Sequence, residues 1–287
     1  MKAALPILII NLDASAGRLA FQRRQFARMG MTFERVPAID GLALPRATYE
    51  RYAFQWDRPI SFSEVACLLS HSLCWKKAAE GNGAVVMEDD QVLADELKPV
   101  LAELASREGA MVFNFETQPR PRYVSREPRE TIAGVTFYDL LMPTAGAGAY
   151  FVTRDAARIL LERLERRAAI ADYFVHSAPG IAHFQADPGL TLELRTLGGM
   201  YRKGFRHDAV SVISRSTHGR NLAIRLYWTV KHPVMRLRRG MSQIGLSLRK
   251  ARVRPISVHR KVEPSPSILA NFEAMEALEK QKSVVNA

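Results

Sequence analysis

The sequence is poor in cysteine, with only Cys67 and Cys74 among 287 residues. That excludes a disulfide-stapled scaffold. On one helix, seven residues at ~1.5 Å rise separate the two by ~10 Å, beyond the ~7 Å a disulfide spans, so free thiols are expected. Long apolar runs are also missing. The longest uncharged candidate, Leu140 to Thr153, has 14 residues and is rich in Gly and Ala, short of the ~18 a spanning helix needs. Acidic residues are absent from Ala209 to Val262. No Walker-type lysine loop, zinc-finger spacing or RNA-binding aromatic signature is present.

Hydrophobic residues make up 47% of the chain, enough for a sizeable core and incompatible with wholesale disorder. The formal net charge is +12, and 13 of the 41 cations lie in the acid-free stretch 209–262. Elsewhere 28 cations face 29 anions, so the body is near neutral. In the basic stretch Leu222, Ile224, Leu226, Trp228 and Val230 interleave with the cations. Such a pattern suits an anionic membrane surface; ordinary helices with a solvated basic face are the plainer alternative. No nucleic-acid partner is expected, since positive charge is the only feature in its favour. The chain divides into a body (1–208), a basic, membrane-surface module (209–262), and a linker with a short amphipathic helix (263–287). The linker is Glu263-Pro-Ser-Pro-Ser267, and the helix carries Ile268, Leu269, Phe272, Met275 and Leu278 on one side.

At the N-terminus, Lys2, an apolar stretch and Ala14-Ser15-Ala16 have the outline of a secretory signal. Pro6, Asn11 and Asp13 interrupt it, so a buried first strand over Pro6 to Leu12 is the better reading. Further strands are expected at Thr32 to Ile39, Ala84 to Met87, Met111 to Phe115, Gly134 to Leu141 and Ala149 to Thr153. Helices are expected from a Ser15 cap to Met29, from Ser61 or Ser63 to about Glu80, and from Asp155 to Arg167 behind Thr153. Alternating strands and helices predict an α/β fold whose mixed, mainly parallel sheet binds ligands at its strands' carboxyl ends.

The sharpest chemical feature is Glu88-Asp89-Asp90 at the end of a buried strand. Adjacent carboxylates repel unless a cation neutralises them, and in extended chain residues 88 and 90 point the same way. Such a pair can hold Mg²⁺ or Mn²⁺ on a diphosphate; a solvated acidic turn is the alternative. Asn11-Leu-Asp13-Ala-Ser15 leads from a strand into a helix, a nucleotide position by geometry, with Arg18 in reach of a phosphate; plain N-capping is the alternative. Glu64 and His71 share one helical face with Cys67 and Trp75. The spacing is not that of a metalloprotease, and a lone buried histidine there can simply be core. Gly146-Ala-Gly148 allows either close approach of a substrate or tight packing. Asp172 can be a general base or an ion-pair partner.

Taken in order, these segments resemble glycosyltransferase family 25: Ile9-Ile-Asn-Leu-Asp13 with Ser15 and Arg18, Phe33 to Gly41, Ser63-Glu-Val-Ala-Cys-Leu-Leu-Ser-His71, Val85-Val-Met-Glu-Asp-Asp90, and Gly148-Ala-Tyr-Phe-Val-Thr-Arg154 with its following helix. The resemblance spans roughly residues 5–190. It implies a GT-A-like fold, a UDP-sugar donor (usually UDP-galactose), and an oligosaccharide or glycolipid acceptor, as in lipopolysaccharide synthesis. It further implies a divalent metal, Mn²⁺ or Mg²⁺, at Glu88, Asp89 and Asp90, donor contacts from Asn11, Asp13, Arg18, Glu64 and His71, inverting transfer, and Asp172 as base. Two departures stand out. Asn114-Phe-Glu116 lies where the family typically has a lysine- or glycine-rich stretch, and the basic module has no counterpart. A cytoplasmic enzyme, peripheral on the inner face of the plasma membrane, is the expected setting; a non-catalytic module that binds glycan or membrane on the same fold is the alternative.

Overall fold

The computed structural model describes residues 5–143, 146–201, 257–260 and 262–285. The basic module 209–262 therefore lies outside the described residues, apart from 257–260 and Val262.

The first strand, β1 (Ile7–Asn11), is buried along its whole length. Its apolar residues alternate between two cores, as a pleated strand requires. Leu8 and Ile10 enter one cluster and Ile7 and Ile9 the other. That double burial explains an unbroken apolar run where a one-sided strand would alternate. Around β1 an eight-stranded sheet forms from β2 (Glu34–Pro37), β3 (Ala84–Glu88), β5 (Met111–Asn114), β8 (Glu130–Ile132), β9 (Val135–Asp139), β10 (Ala149–Val152) and β11 (Ala182–Asp187), in the order β2-β1-β3-β10-β5-β11-β9-β8. The pairings make β9 and β10 run against the other six strands. The sheet is mixed and mostly of one direction, so the carboxyl ends of β1, β3 and β5 open on the same edge.

Helices cover both faces. On one side lie α2 (Arg46–Ala53), α3 (Phe62–Glu80), α5 (Arg154–Arg166) and α6 (Ala171–His176), packed through Leu68, Trp75, Leu160 and Phe174. On the other lie α1 (Ala16–Arg28) and α4 (Leu97–Leu104), through Phe21, Phe26, Leu97 and Leu101. Helix α3 starts at a complete capping box: the Ser61 hydroxyl accepts from Glu64 N, and the Glu64 carboxylate accepts from Ser61 N. Thr153 likewise caps α5. Ser15 stands at the N-cap of α1 but makes no side-chain cap; its carbonyl accepts from Asn11 Nδ2 and Leu19 N instead. A small sheet, β4 (Gln91–Leu93), β12 (Thr191–Glu193) and β6 (Glu116–Thr117), closes one end, and α7 (Leu194–Tyr201) follows it.

The C-terminal segment docks on the body. Strand β13 (Ser257–Arg260) pairs antiparallel with β7 (Arg122–Ser125). The stretch read as a linker is fastened down. Thr117 Oγ1 donates to Val262 O at 2.6 Å, Gly189 N to Glu263 O at 2.8 Å, and Ser265 N to Gly189 O at 2.9 Å. Helix α8 (Pro266–Val285) then packs Ile268, Phe272 and Met275 into the core beside α1 and α4. Each such burial contributes about 1.5–3 kcal/mol. Asn271 Nδ2 donates to Leu93 O at 2.8 Å, which sets the helix's register.

Candidate active site

The acidic block sits where β3 turns into β4, and α1 holds that turn from the side. Arg18, Gln22 and Gln25 recur at helical spacing, so one stripe of α1 faces it. Gln22 Nε2 donates to the main-chain oxygens of Asp89 and Gln91, at 3.0 and 2.9 Å. Gln25 donates to Gln91 O and accepts from Leu93 N. Asp89, buried in the turn, has both carboxylate oxygens engaged within the protein. Asn11 Nδ2 donates to one at 2.7 Å and Arg18 Nη1 to the other at 2.9 Å. Arg18 also lies 3.6 Å from Asp90 Oδ2. Arg35 in turn holds Asn11 and pairs with Asp13, whose side chain is exposed outside the cleft.

Glu88 faces the opposite way, toward α3. Its Oε1 lies 3.4 Å from His71 Nε2 and 3.9 Å from Cys67 Sγ. Cys67 and His71 are one turn apart on that helix. The imidazole is fully buried; burial pushes its pKa down to about 4 against the opposing pull of Asp172, so it is neutral at pH 7. Its Nδ1 lies 3.0 Å from Tyr150 Oη, and Tyr150 Oη accepts from Trp75 Nε1 at 2.8 Å. Glu64, by contrast, is committed to the capping box and to Arg58, with Nη1 to Oε2 at 3.0 Å. Burial alone would raise its pKa, but Arg58 and Ser61 outweigh burial and hold it below the usual carboxylate value.

A second group of acids gathers around the loop at Gly146 to Gly148. Gly148 N donates to Glu116 Oε2 at 3.0 Å, and Ala147 N to Asp172 Oδ1 at 3.0 Å. A Cβ at Gly146 would lie 1.9 Å from Glu116 Oε2, and one at Gly148 2.3 Å from Gln91 Nε2. The glycines thus let two carboxylates close on the backbone. Burial, then Asp172 and Glu88, push Glu116 up to about 8. Burial also raises Asp172. Glu88 and Asp90 are raised as well, by burial first, and then Glu88 by Asp172 and Asp90 by Glu88. Arg18 opposes the rise at Glu88 and Asp90, and Arg122 at Glu116 and Asp172, but burial outweighs both cations, so these acids favour a proton or a bound cation.

The two groups line two lobes of one cleft at the carboxyl ends of β1 and β3. The first, of ≈ 220 Å³, is walled by Leu12, Ser15, Arg18, Ile39, Asp90 and His71. The second, also of ≈ 220 Å³, is walled by Glu64, Gln91, Glu116, Gly146, Ile170 and Asp172. Cys67, Glu88 and Glu193 line both. Of the residues singled out in the sequence, Arg18, His71, Glu88, Asp89 and Asp90 meet in the first lobe, and Glu64 and Asp172 line the second. Asn11 stands behind Asp89, and Asp13 lies outside the lining. Sequence reasoning missed Glu116 and Glu193 as site residues. Glu116 had a signal, an acid just past the strand end at Asn114. Glu193 ends a three-residue strand and had none.

Glu88, Asp90 and Glu193 all line the wall of the first lobe, and a hard divalent cation would relieve their mutual repulsion. Asp89 fits as the group that ties Asn11 and Arg18 to this wall, because both its oxygens are in use. Cys67, His71 and Glu88 also bring one ligand-type atom each within 4.8 Å of one another.

The model of glycosyltransferase family 25 (LPS biosynthesis protein) matches residues 4–175, from β1 through most of α6. The chain belongs to glycosyltransferase family 25. The match takes in both lobes except Glu193 and the 182–193 strands. A curated Haemophilus influenzae protein named "Putative glycosyltransferase" is 24% identical over 165 residues, which cover 55% of this chain and 57% of that protein. The chain thus matches little more than half the length of that relative. Among solved structures, the inositol-1-phosphate CTP transferase of T. maritima superposes with a TM-score of 0.35 at 11% identity, over 67% of this chain and 90% of that one. A likeness so slight adds nothing to the strand order described above.

Proposed function

We propose that this protein transfers a hexose, galactose first among the candidates, from a UDP-sugar to a hydroxyl of a lipopolysaccharide or other surface glycan, with inversion, on a GT-A-like fold. The observation that carries this reading is the two-lobed cleft joined at Glu88. One lobe offers the donor a helix N-terminus, Arg18 and an apolar wall at Leu12 and Ile39. The other offers the acceptor buried carboxylates at Asp172 and Glu116.

Arg18 sits where it can reach the diphosphate while keeping Asp89 in place. Glu88 and Asp90, with Glu193 across the wall, are the residues that would hold Mn²⁺ or Mg²⁺. Such an ion, when bound, offsets charge developing on the leaving UDP. Asp172 takes the proton from the acceptor hydroxyl as its oxygen bonds to the anomeric carbon and the bond to UDP breaks. Its raised pKa makes it a better base near neutral pH than an ordinary carboxylate. Glu116 holds the 146–148 loop so that Ala147 N can orient Asp172. Asn11, Asp13 and Glu64 act on the donor side through the groups they brace, Asp89, Arg35 and the start of α3.

The basic stretch 209–262 supports a peripheral position on the anionic cytoplasmic face of the plasma membrane, where a glycolipid acceptor would be presented. No helix among the described residues is long and apolar enough to cross a membrane. The deciding experiment is hydrolysis and transfer with a panel of UDP-sugars, with and without Mn²⁺. Mn²⁺-dependent turnover of one donor is expected. Binding of glycan or membrane without turnover of any donor would replace this reading with that of a non-catalytic module. The membrane part is checked with vesicles: the protein should bind anionic but not zwitterionic ones, less so in high salt, and replacing Arg236, Arg238 and Arg239 with Glu should release it.

A further inference from the structure

Three side chains buried beneath Glu88 form a hydrogen-bond chain whose direction follows from counting protons. Trp75 and His71 lie one turn apart on α3, and Tyr150 reaches them from β10, where it pairs with Val86, two residues before Glu88. Val86, Glu88 and Tyr150 therefore share the sheet face under α3. All three relay side chains, Trp75, Tyr150 and His71, are fully buried. Trp75 Nε1 lies 2.8 Å from Tyr150 Oη. An indole N–H can only donate, so the phenol oxygen accepts here. Tyr150 has one proton of its own to place, and a buried hydroxyl proton needs an acceptor. Among the described residues the acceptor in reach is His71 Nδ1, at 3.0 Å. Nδ1 therefore carries no proton, and the ring's single proton is on Nε2, which faces Glu88 Oε1 at 3.4 Å. The other tautomer would strand the phenol proton. A doubly protonated ring would strand the phenol proton as well.

We infer that Trp75, Tyr150 and His71 form a one-way relay that presents Nε2–H of His71 to Glu88 and holds that carboxylate in place for the donor-bound ion. His71 is a positioning residue and not itself a ligand. The same count disfavours the Cys67, His71 and Glu88 group as a soft-metal site, because Nε2 could coordinate only after its proton moved to Nδ1. Stacking of Trp75 on Phe174, with ring centroids 5.5 Å apart, anchors the start of the relay in the core. The role assigned to Glu88 rests on the function proposed above; the direction of the relay does not.

The test is the tautomer of His71, read from ring nitrogen shifts in metal-free protein carrying ¹⁵N-labelled histidine, with the resonance assigned by its loss in His71→Gln. The Nε2–H form is expected. The Nδ1–H form in the wild-type protein would overturn the proposal. Trp75→Phe removes only the donor to Tyr150 and should leave the tautomer unchanged. Tyr150→Phe removes the proton that Nδ1 accepts, leaving Glu88 alone to hold the tautomer, so the Nε2–H form should fall from complete to partial occupancy. Mn²⁺ affinity in the presence of UDP, followed by electron paramagnetic resonance, should fall ~10–100-fold in Tyr150→Phe and His71→Leu. It should stay near wild type in His71→Gln, whose amide can still donate to Glu88. Equal affinity in wild type and Tyr150→Phe would overturn the positioning role. An Nε2–H ring in a wild-type protein that binds no Mn²⁺ would support the relay and remove the reading of Glu88 as a ligand.

Discussion

The two lobes of the cleft handle buried acids in opposite ways. In the first, Asp89 is neutralised locally: Asn11 and Arg18 take its two oxygens, and Gln22 holds its main chain. In the second, Glu116 and Asp172 accept from backbone and amide donors of Gly148, Gln118 and Ala147, and although the charge of buried Arg122 acts on both, burial leaves both with raised pKa values. A carboxylate with a guanidinium and an amide on its oxygens belongs to the scaffold. One that stays buried with partial compensation is held in a costly state, and such groups cluster where chemistry is done. Under the proposed function the comparison ranks the acids of this chain: Asp89 would organise, Glu88 and Asp90 would bind, and Asp172 would react.

Substitution at the junction should break the comparison most severely. Asp90→Ala is expected to lower transfer by ~10³-fold or more with the fold intact, since it sits in a turn outside the apolar core. Transfer by the wild-type protein that persists in excess EDTA would remove the ion from the mechanism. Next, Asp172→Asn should reduce kcat by ~10²–10⁴-fold with little change in UDP-sugar affinity. A rise in acceptor KM with a smaller loss of kcat would make Asp172 an acceptor-positioning group instead.

The glycine loop gives a structural contrast. Gly146→Ala drives a Cβ into Glu116 and should cost about 1–3 kcal/mol, read as a lower Tm. Gly17→Ala on α1 meets nothing within 4 Å and should stabilise by about 0.5–1 kcal/mol. Equal melting of the two variants would mean that Glu116 does not press on the loop.

The smallest effect is on the pH dependence of stability. Glu116 binds its proton more tightly in the folded state, with a pKa near 8 against an ordinary 4.5. The folded chain therefore holds more protons than the unfolded one between those values, and this group's contribution to stability falls as pH rises from about 4.5 to 8. Glu116→Gln should melt with a shallower decline over pH 5–8 than the wild type in metal-free buffer. Parallel curves would show that Glu116 is ionised and compensated in the fold.

Legibility followed sequence distance. The buried strand β1, helix α3 with its Ser61 cap, the acidic block after β3 and the Thr153-capped α5 were all readable, because apolar runs, capping residues and breakers act within a few positions. Glu64 shows the limit of a face-sharing argument. It does lie toward the cleft, but its carboxylate belongs to a capping box whose pattern, Ser61-x-x-Glu64, was itself in the sequence. The linker reading of Glu263 to Ser267 has a related limit. Pro and Ser suggest a free tether, whereas the partners that fasten it, Thr117 and Gly189, lie far off in the chain.

By itself, the sequence determined the alternation of elements, the doubly buried first strand, the concentration of positive charge in 209–262 and the family, since each is written in neighbouring residues. The tertiary structure alone decided which acids share a wall. Glu88, Glu116, Asp172 and Glu193 come from four elements, and nothing periodic links them. Their meeting depends on β10 lying between β3 and β5 and on the small sheet closing beside them. Whether an acid is clamped, as Asp89 is, or left in need of a counter-charge depends on donors supplied across 70 residues or more of chain, and only packing brings those donors to it.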